Sequence, residues 1–237
     1  MDNTKLLLEE LQKLGDPEKA KGAAKFFQAA KGGYGEGDKF WGVTVPGQRA
    51  LSKKYCKLLT PDEMPALLRH EVHEVRLCAL MTLVLMYQKT KNSGEKSRIV
   101  RIYRDALPCV NNWDLVDSSA PHILGDWCVT QGYAELLGLA RSGELWKQRV
   151  AMISTQAFIR QNILEPVFEI ADILLEHKHD LIHKAVGWML REAGNRDFER
   201  EYSYLARNYK RMPRTMLRYA IEKFDEPLRQ KFLKGEI

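Results

Sequence analysis

A tryptophan and a carboxylate stand four residues apart in the segment NNWDLVDSS, which spans Asn111–Ser119. If this segment is helical, Trp113 and Asp117 share one face of the helix. An indole beside an exposed carboxylate suits a partner that is positively charged and partly apolar. A second interpretation stays open, in which Asp117 caps a following helix that begins near Pro121.

Two later segments also combine tryptophan with basic residues. The first is WKQR at Trp146–Arg149, and the second is KAVGWMLRE at Lys184–Glu192. Within the second, Gly187 stands directly before Trp188 and lowers helix propensity by up to about 1 kcal/mol. A glycine there indicates either the close approach of another surface or tight packing between helices.

A basic stretch over Ser203–Tyr219 holds five arginine or lysine residues and no acid. Arginine and lysine neutralise phosphates, and a tyrosine hydroxyl can hydrogen-bond a phosphate oxygen, so the stretch suits a nucleic-acid backbone. A solvated helical hairpin whose tyrosines face the core explains it equally well. The basic residues are Arg207, Lys210, Arg211, Arg214 and Arg218, and the tyrosines are Tyr204, Tyr209 and Tyr219.

Two motif-like segments are better explained without a ligand. Gly32 and Gly37 bracket four residues, as in a phosphate-binding P-loop, but Asp38 occupies the position of the essential lysine. The histidine pairs lack the spacing or the partners of a metal site, so we expect solvated helix faces and no metal. These pairs are His70 with His73, and His179 with His183.

The composition excludes several classes of protein. The chain has 237 residues, 45% of them hydrophobic, and a net charge of +6, which is compatible with binding nucleic acid. The longest run without Asp, Glu, Lys or Arg is Leu77–Gln88, whereas a membrane-spanning helix needs about 18 residues. The N-terminus is not typical of a secretory signal, and four dispersed cysteines favour free thiols. We therefore predict a cytoplasmic protein that does not enter the membrane.

The elements that carry these motifs are predicted to be helices that repeat along the chain. Small or apolar anchor positions recur at steps of 41, 31, 34 and 32 residues, the length of one helical hairpin. We predict an all-α, right-handed solenoid of HEAT-like repeats as a single domain over residues 1–237, with a basic concave face. The anchor positions are Ala79, Ala120, Ala151, Ala185 and Leu217, in predicted helices Val75–Tyr87, Asp117–Val129, Trp146–Arg160, Leu181–Ala193 and Pro213–Phe224.

Capping signals divide the N-terminal part into helices. A first helix ends at Asp16, where a second one begins. A loop over Lys31–Asp38 is followed by a helix over Gly47–Leu59, started by Pro46. The sequence TPDE at Thr60–Glu63 is a strong N-terminal cap. The apolar face of the first helix is predicted to comprise Leu6, Leu7, Leu11 and Leu14.

Three motifs together resemble those of the AlkD family of DNA alkylation repair glycosylases. Their order and spacing match, and the resemblance extends over nearly the whole chain. It implies a solenoid of HEAT-like repeats that excises cationic N-alkylated purines, such as 3-methyladenine and 7-methylguanine, from double-stranded DNA. The motifs are Trp113-Asp114-x-Val116-Asp117-Ser118 with Leu124-Gly125-Asp126, Trp146-x-Gln148-Arg149-x-Ala151, and Lys184-Ala185-x-Gly187-Trp188-x-Leu190-Arg191-Glu192.

The resemblance also implies roles for individual residues. Asp117 matches the catalytic carboxylate, with Trp113 and Trp188 as its aromatic partners. Arg149 matches an arginine that grips the DNA backbone. No cofactor or metal is expected, and the chain is expected to be a monomer. Further DNA contacts are expected from Arg49, Lys184, Arg191, Arg214 and Arg218.

Two N-terminal positions depart from the family. Thr44 stands where the family tends to have Gln, and Phe26 stands where Tyr is frequent. Both positions contact DNA in relatives, so the resemblance does not assign DNA contacts to these two residues.

The expected chemistry is hydrolysis of an N-glycosidic bond, which leaves an abasic site. Cleavage passes through an oxocarbenium-like sugar, and a purine that is already cationic departs without being protonated. One carboxylate, that of Asp117, then suffices to stabilise the sugar and orient a water. The alternative is a non-catalytic HEAT-like scaffold that binds branched or damaged DNA or a protein.

Overall fold

The computed structural model describes residues 2–237, which form helices joined by loops and include no strand. A single isolated β-bridge joins Lys39 to Val72 within this range. The chain forms two compact units, one ending at Ile123 and the other spanning Leu124–Ile237. The boundary falls inside a π-helical turn, Pro121–Gly125. The single-domain organisation stays a prediction.

The first unit contains seven α-helices among its described residues. Asp2 and Asp16 cap the first two through their side chains, and Thr60 with Glu63 forms the predicted capping box of a 3-10 turn at Pro61–Glu63. The helices are α1 Asn3–Lys13, α2 Pro17–Phe26, α3 Val45–Tyr55, α4 Met64–Leu68, α5 His73–Lys89, α6 Ser93–Ala106 and α7 Trp113–Asp117.

Helix α5 is the centre of the first unit and is buried along most of its length. It packs against α3, α4, α6 and α7. On α1, Leu7 and Leu11 are fully buried, but Leu14 is half exposed. The predicted four-leucine face is therefore wrong at its last position, because Leu14 follows the end of the helix at Lys13.

The second unit contains eight α-helices. Helix α10 packs against α8, α9, α11 and α12, and α12 packs against α13 and α14 as well. The helices are α8 Asp126–Gln131, α9 Ala134–Ala140, α10 Leu145–Arg160, α11 Glu165–Leu174, α12 Asp180–Gly194, α13 Phe198–Asn208, α14 Arg214–Ala220 and α15 Glu226–Lys234.

All five anchor positions are buried, as the repeat pattern predicts. Four of the predicted repeat helices are found in α5, α10, α12 and α14. The fifth, over Asp117–Val129, is wrong as a continuous helix. It is divided into the last residue of α7, the π-helical turn and α8. Pro121 lacks the N–H that a regular helix needs inside its length.

Gly187 shows that tight helix packing explains the glycine before Trp188. A Cβ atom at this position would lie 2.4 Å from the carbonyl oxygen of Met216 and 2.5 Å from the Cβ of Tyr219. Helix α14 therefore packs directly on the backbone of α12. Of the two explanations for this glycine, close packing between helices is the one that the structure shows.

None of the helices within residues 2–237 combines the length and the apolar character needed to cross a bilayer. All four cysteines are free thiols, as expected from their spacing. Two of them, Cys78 and Cys128, are buried.

Candidate active site

Helix α7 carries Trp113 and Asp117 on its accessible side. The buried side chain of Asn112 caps the helix by accepting a hydrogen bond from the Trp113 backbone N–H at 2.9 Å. Leu115 and Val116 are fully buried, whereas Trp113 and Asp117 are half-buried. The predicted helical spacing is confirmed, and it leaves the indole and the carboxylate together on the outer face.

Asp117 does not occupy a helix-cap position. It is the last residue of α7, and the next helical turn begins four residues later, at Pro121. A cap residue directly precedes the first helical residue. For the turn that begins at Pro121, the cap position is that of Ala120. The interpretation of Asp117 as a cap is therefore wrong.

Two open cavities share Asp117. The larger one, which we call the aromatic basin, has a volume of about 560 Å³. The smaller one, the basic groove, has a volume of about 420 Å³ and is bordered by Arg49 and Lys53 of α3 and by His122. Arg49 and Asp117 border both cavities. The large apolar side chains of the aromatic basin are Phe26, Phe27, Val45, Leu77, Met81 and Trp113.

Two phenylalanines extend the aromatic surface of Trp113. The ring of Phe26 meets the indole edge-on at a centroid distance of 5.8 Å, and the ring of Phe27 lies at 5.5 Å with a tilt of 30°. Phe26 is 64% exposed. An exposed apolar group beside an accessible indole is typical of a binding surface.

A network of four charged side chains, three of them buried and that of Asp114 14% exposed, lies beneath this surface. The ring of His73 is 2.8 Å from Asp114 through Nε2 and 3.0 Å from Asp38 through Nδ1. Arg76 donates to the other oxygen of Asp38 at 2.6 Å. The predicted solvated face for His73 is wrong, because its side chain is 1% exposed.

This network was not predicted from the sequence, although one signal was present. The long apolar run that follows His73 makes α5 hydrophobic on all sides, as in a helix buried all round. A histidine and an arginine in the first turn of such a helix need buried partners. Asp38, which excluded a P-loop, is one of those partners, so the glycine-rich segment is a structural loop.

The charges of the network shift the pKa values of His73 and Asp38. Burial by itself would lower the pKa of His73, but the hydrogen bonds and charges of Asp114 and Asp38 outweigh it and raise the pKa to about 8. Burial would raise the pKa of Asp38, but His73 and Arg76 hold it below its ordinary value. His73 and Asp38 are therefore both ionised at neutral pH.

The loop before α3 is fixed to the same end of α5. Glu74, which is buried, accepts hydrogen bonds from the backbone N–H groups of Trp41 at 3.1 Å and Gly42 at 2.8 Å. Gly42 has φ +78°, and a Cβ there would lie 2.1 Å from the carbonyl oxygen of Asp16. Only glycine fits this position, and the close packing around it holds the loop that carries Asp38 in one backbone conformation.

The second unit contains Trp188, Lys184 and Arg191 on α12. The indole N–H of Trp188 donates to Glu192 at 3.0 Å. Lys184 pairs with Asp180 at 2.7 Å, and Arg191 pairs with Glu222. Each of these groups therefore has an acidic partner within the protein.

Arg149 differs from these surface groups because its side chain is turned inward. It is 5% exposed and donates to the carbonyl oxygen of Leu181 at 2.5 Å. The neighbouring His179 and His183 are half-buried and hydrogen-bonded, so the predicted solvated face is wrong for this pair too. Within residues 2–237, no group of three His, Cys, Asp or Glu residues has the arrangement of a metal site.

The basic stretch over Ser203–Tyr219 is divided between core and surface. Tyr204 and Tyr209 are buried, as the core interpretation predicts, while Tyr219 is exposed. Arg211 pairs with Glu176 at 2.7 Å. Arg214 and Arg218 are exposed and have no acidic partner among the residues that the structure describes.

The sequence pattern of one protein family, described as DNA alkylation repair enzyme, matches residues 7–224. The chain belongs to this family. A solved structure described as a predicted DNA alkylation repair enzyme from Enterococcus faecalis has the same fold, with a TM-score of 0.72 and 16% sequence identity over 90% of this chain and 97% of that one. No protein with a curated description matches the chain.

Membership of the DNA alkylation repair family confirms the predicted family and supports a role in DNA repair, with DNA as the substrate. The shared fold confirms the predicted all-α arrangement of helical repeats. The catalytic roles of Asp117, Trp113 and Trp188 stay predictions for this family member. So do the DNA contacts of Arg49, Arg149, Lys184, Arg191, Arg214 and Arg218.

Proposed function

We propose that this protein is a DNA glycosylase that hydrolyses the N-glycosidic bond of cationic N-alkylated purines in double-stranded DNA. The observation that carries the proposal is the position of Asp117, half-buried beside Trp113 at the edge of the aromatic basin. A carboxylate beside aromatic surface suits a sugar that becomes cationic as the base departs.

Asp117 is the carboxylate best placed for this chemistry. Two carboxylates border the aromatic basin, Asp114 and Asp117, and Asp117 also borders the basic groove. Asp114 is engaged by His73 at 2.8 Å and serves the buried network. Asp117 therefore stabilises the cationic sugar and orients the attacking water, and Trp113 offers its ring to the same cation.

The basic groove provides cations for the DNA backbone beside this carboxylate. Arg49 and Lys53 are four residues apart on α3 and project from the same face. They hold phosphates close to the sugar that reacts. The resemblance assigns Trp188 and Arg149 of the second unit to the same reaction, and Lys184, Arg191, Arg214 and Arg218 to the DNA backbone.

The most direct test of the proposal is to vary the charge of the base that departs and to measure its release. A site in which one carboxylate is available, and in which no motif ties a second acid to the departing base, is expected to release only bases that are already cationic. In single-turnover assays, a duplex with one 7-methylguanine should lose the base, and the same duplex with hypoxanthine should not. Comparable rates on both substrates would show a general acid and refute the mechanism. No release from either, with tight DNA binding, would favour the non-catalytic scaffold.

A further inference from the structure

The hydrogen bonds around His73 require a doubly protonated ring. Both ring nitrogens face carboxylate oxygens, at 2.8 Å from Asp114 and 3.0 Å from Asp38. An ionised carboxylate only accepts hydrogen bonds, so each nitrogen must carry a proton. The imidazolium and Arg76 then balance the two carboxylates, and the buried network is neutral as a whole.

The ring also contacts aromatic side chains that lead to Trp113. The ring centroids of Phe27 and Phe40 lie 4.7 Å and 5.0 Å from that of His73, and the two phenyl rings stack on each other at 5.5 Å. Phe27 in turn contacts Trp113 at 5.5 Å. A cation beside aromatic rings is favourable, and these contacts join the buried network to the floor of the aromatic basin.

The network connects three separate segments of the first unit. Asp38 belongs to the loop before α3, His73 and Arg76 belong to α5, and Asp114 belongs to α7. Arg76 also donates to Asn111, directly before the cap of α7, at 3.1 Å. Helix α7 has only five residues, too few to hold its own position, so these bonds fix where it lies.

We infer that His73 is a positioning residue for the proposed reaction: its doubly protonated ring holds Asp114, and through it the helix that carries Trp113 and Asp117. The inference rests on the proposed function. His73 touches neither the sugar nor the base, and it acts by fixing α7 and the aromatic floor against α5.

Loss of one ring proton would weaken this arrangement. A neutral imidazole has one N–H, so one carboxylate would face a lone pair at hydrogen-bond distance. The pKa of His73 lies above the ordinary value of 6.5, at about 8, so the stabilisation is complete below pH 6.5 and is lost as the pH rises through 8. The charged groups that share this region with His73 are Asp38, Asp114, Arg76, Glu74, Lys39 and Lys19.

The test is the pH dependence of 7-methylguanine release under single turnover. The wild type should lose about tenfold in rate between pH 7 and pH 9, the change expected for one group that titrates near 8. In Asp114→Asn, the amide can donate to the unprotonated nitrogen, so a neutral ring is satisfied as well. Relative to its own rate at pH 7, this variant should lose less than about twofold.

A matched control is His70→Gln. His70 is half-buried near the same helix end, and its ring nitrogen accepts from the backbone N–H of Val72. Its hydrogen bond to the network is made by the backbone carbonyl, which accepts from Arg76 at 2.9 Å and which the substitution keeps. This variant should keep the wild-type pH profile. Identical profiles for the wild type and Asp114→Asn would overturn the inference.

A spectroscopic measurement separates this inference from the proposed function. Nitrogen-15 NMR of the histidine rings should show His73 protonated on both nitrogens at pH 7, with the Trp113 indole signal shifting at the same midpoint. The His73 signals are assigned by their loss in His73→Gln or, if that variant does not fold, by contacts to Phe27 and Phe40. A neutral His73 ring at pH 7 refutes the inference. Absence of base release at every pH refutes the proposed function alone, and the Trp113 signal then decides whether His73 positions α7.

Discussion

The charged network beside α7 in the first unit is largely buried and its members bond to one another, whereas Lys184 and Arg191 of α12 in the second unit lie in ion pairs that reach the surface. His73 is 1% exposed between its two carboxylates. Lys184, in contrast, is 40% exposed in its pair with Asp180. The two regions therefore hold their functional candidates by different physical means.

The difference concerns how easily each group can exchange its partner. A buried charge that loses its partner costs several kcal/mol, so the network around His73 stays in one geometry and fixes α7. A surface ion pair contributes about 0–1 kcal/mol, so a phosphate can replace the carboxylate that Lys184 now contacts. The network of the first unit therefore suits groups that must keep one position, and the exposed ion pair of the second unit suits a group that can exchange its partner.

The largest expected effect is in the first unit. Asp117→Asn keeps the shape of the side chain and removes its charge, so base release should fall by roughly 10²–10³-fold. DNA binding should be retained or improved, because a negative charge is removed. Asp62→Asn is the control, since Asp62 is an exposed acid that pairs with Arg98. An active Asp117→Asn variant would contradict the catalytic role of Asp117.

The packing of the second unit is tested by Gly187→Ala. The added Cβ would meet the backbone of Met216 at 2.4 Å, so the free energy of unfolding should fall by about 1–3 kcal/mol. Gly138→Ala in α9 is the matched control. Nothing lies within 4 Å of its added Cβ, so that variant should gain about 0.5–1 kcal/mol. Denaturant unfolding of both variants measures the difference, and equal stabilities would argue against close packing of α12 on α14.

The smallest expected effect is at the surface of the second unit. If Arg214 and Arg218 each neutralise one phosphate, changing both to Ala should reduce the log–log salt slope of DNA binding by about 1.8. Arg207 and Arg211 lie in the same basic stretch but bond to Ser203 and Glu176. Changing Arg207 and Arg211 together to Ala should reduce the salt slope of DNA binding less than changing Arg214 and Arg218 does. A wild-type slope near zero would rule out electrostatic binding of DNA altogether.

Local patterns predicted the elements of the site but not how those elements are held. The spacing of Trp113 and Asp117 placed both on one face on the condition that the segment is helical, as α7 is. The signals at Asp16 and Thr60 predicted helix starts, because these depend on residues a few positions apart. The division of the segment after Asp117 was missed, although Pro121 stands there. The sequence alone does not distinguish close approach of another surface from tight helix packing at Gly187, since the packing partner lies 29 residues further along the chain.

The sequence by itself determined the helical repeats, the buried anchor positions, the family and the candidate carboxylate, because periodicity and short motifs are properties of neighbouring residues. Only the tertiary structure decided that His73 is buried between Asp38 and Asp114, which stand 35 and 41 residues away from it. It also decided that Arg149 faces inward while Arg214 and Arg218 face solvent. Burial and ion pairing depend on which distant segments pack together, so no local pattern contains them.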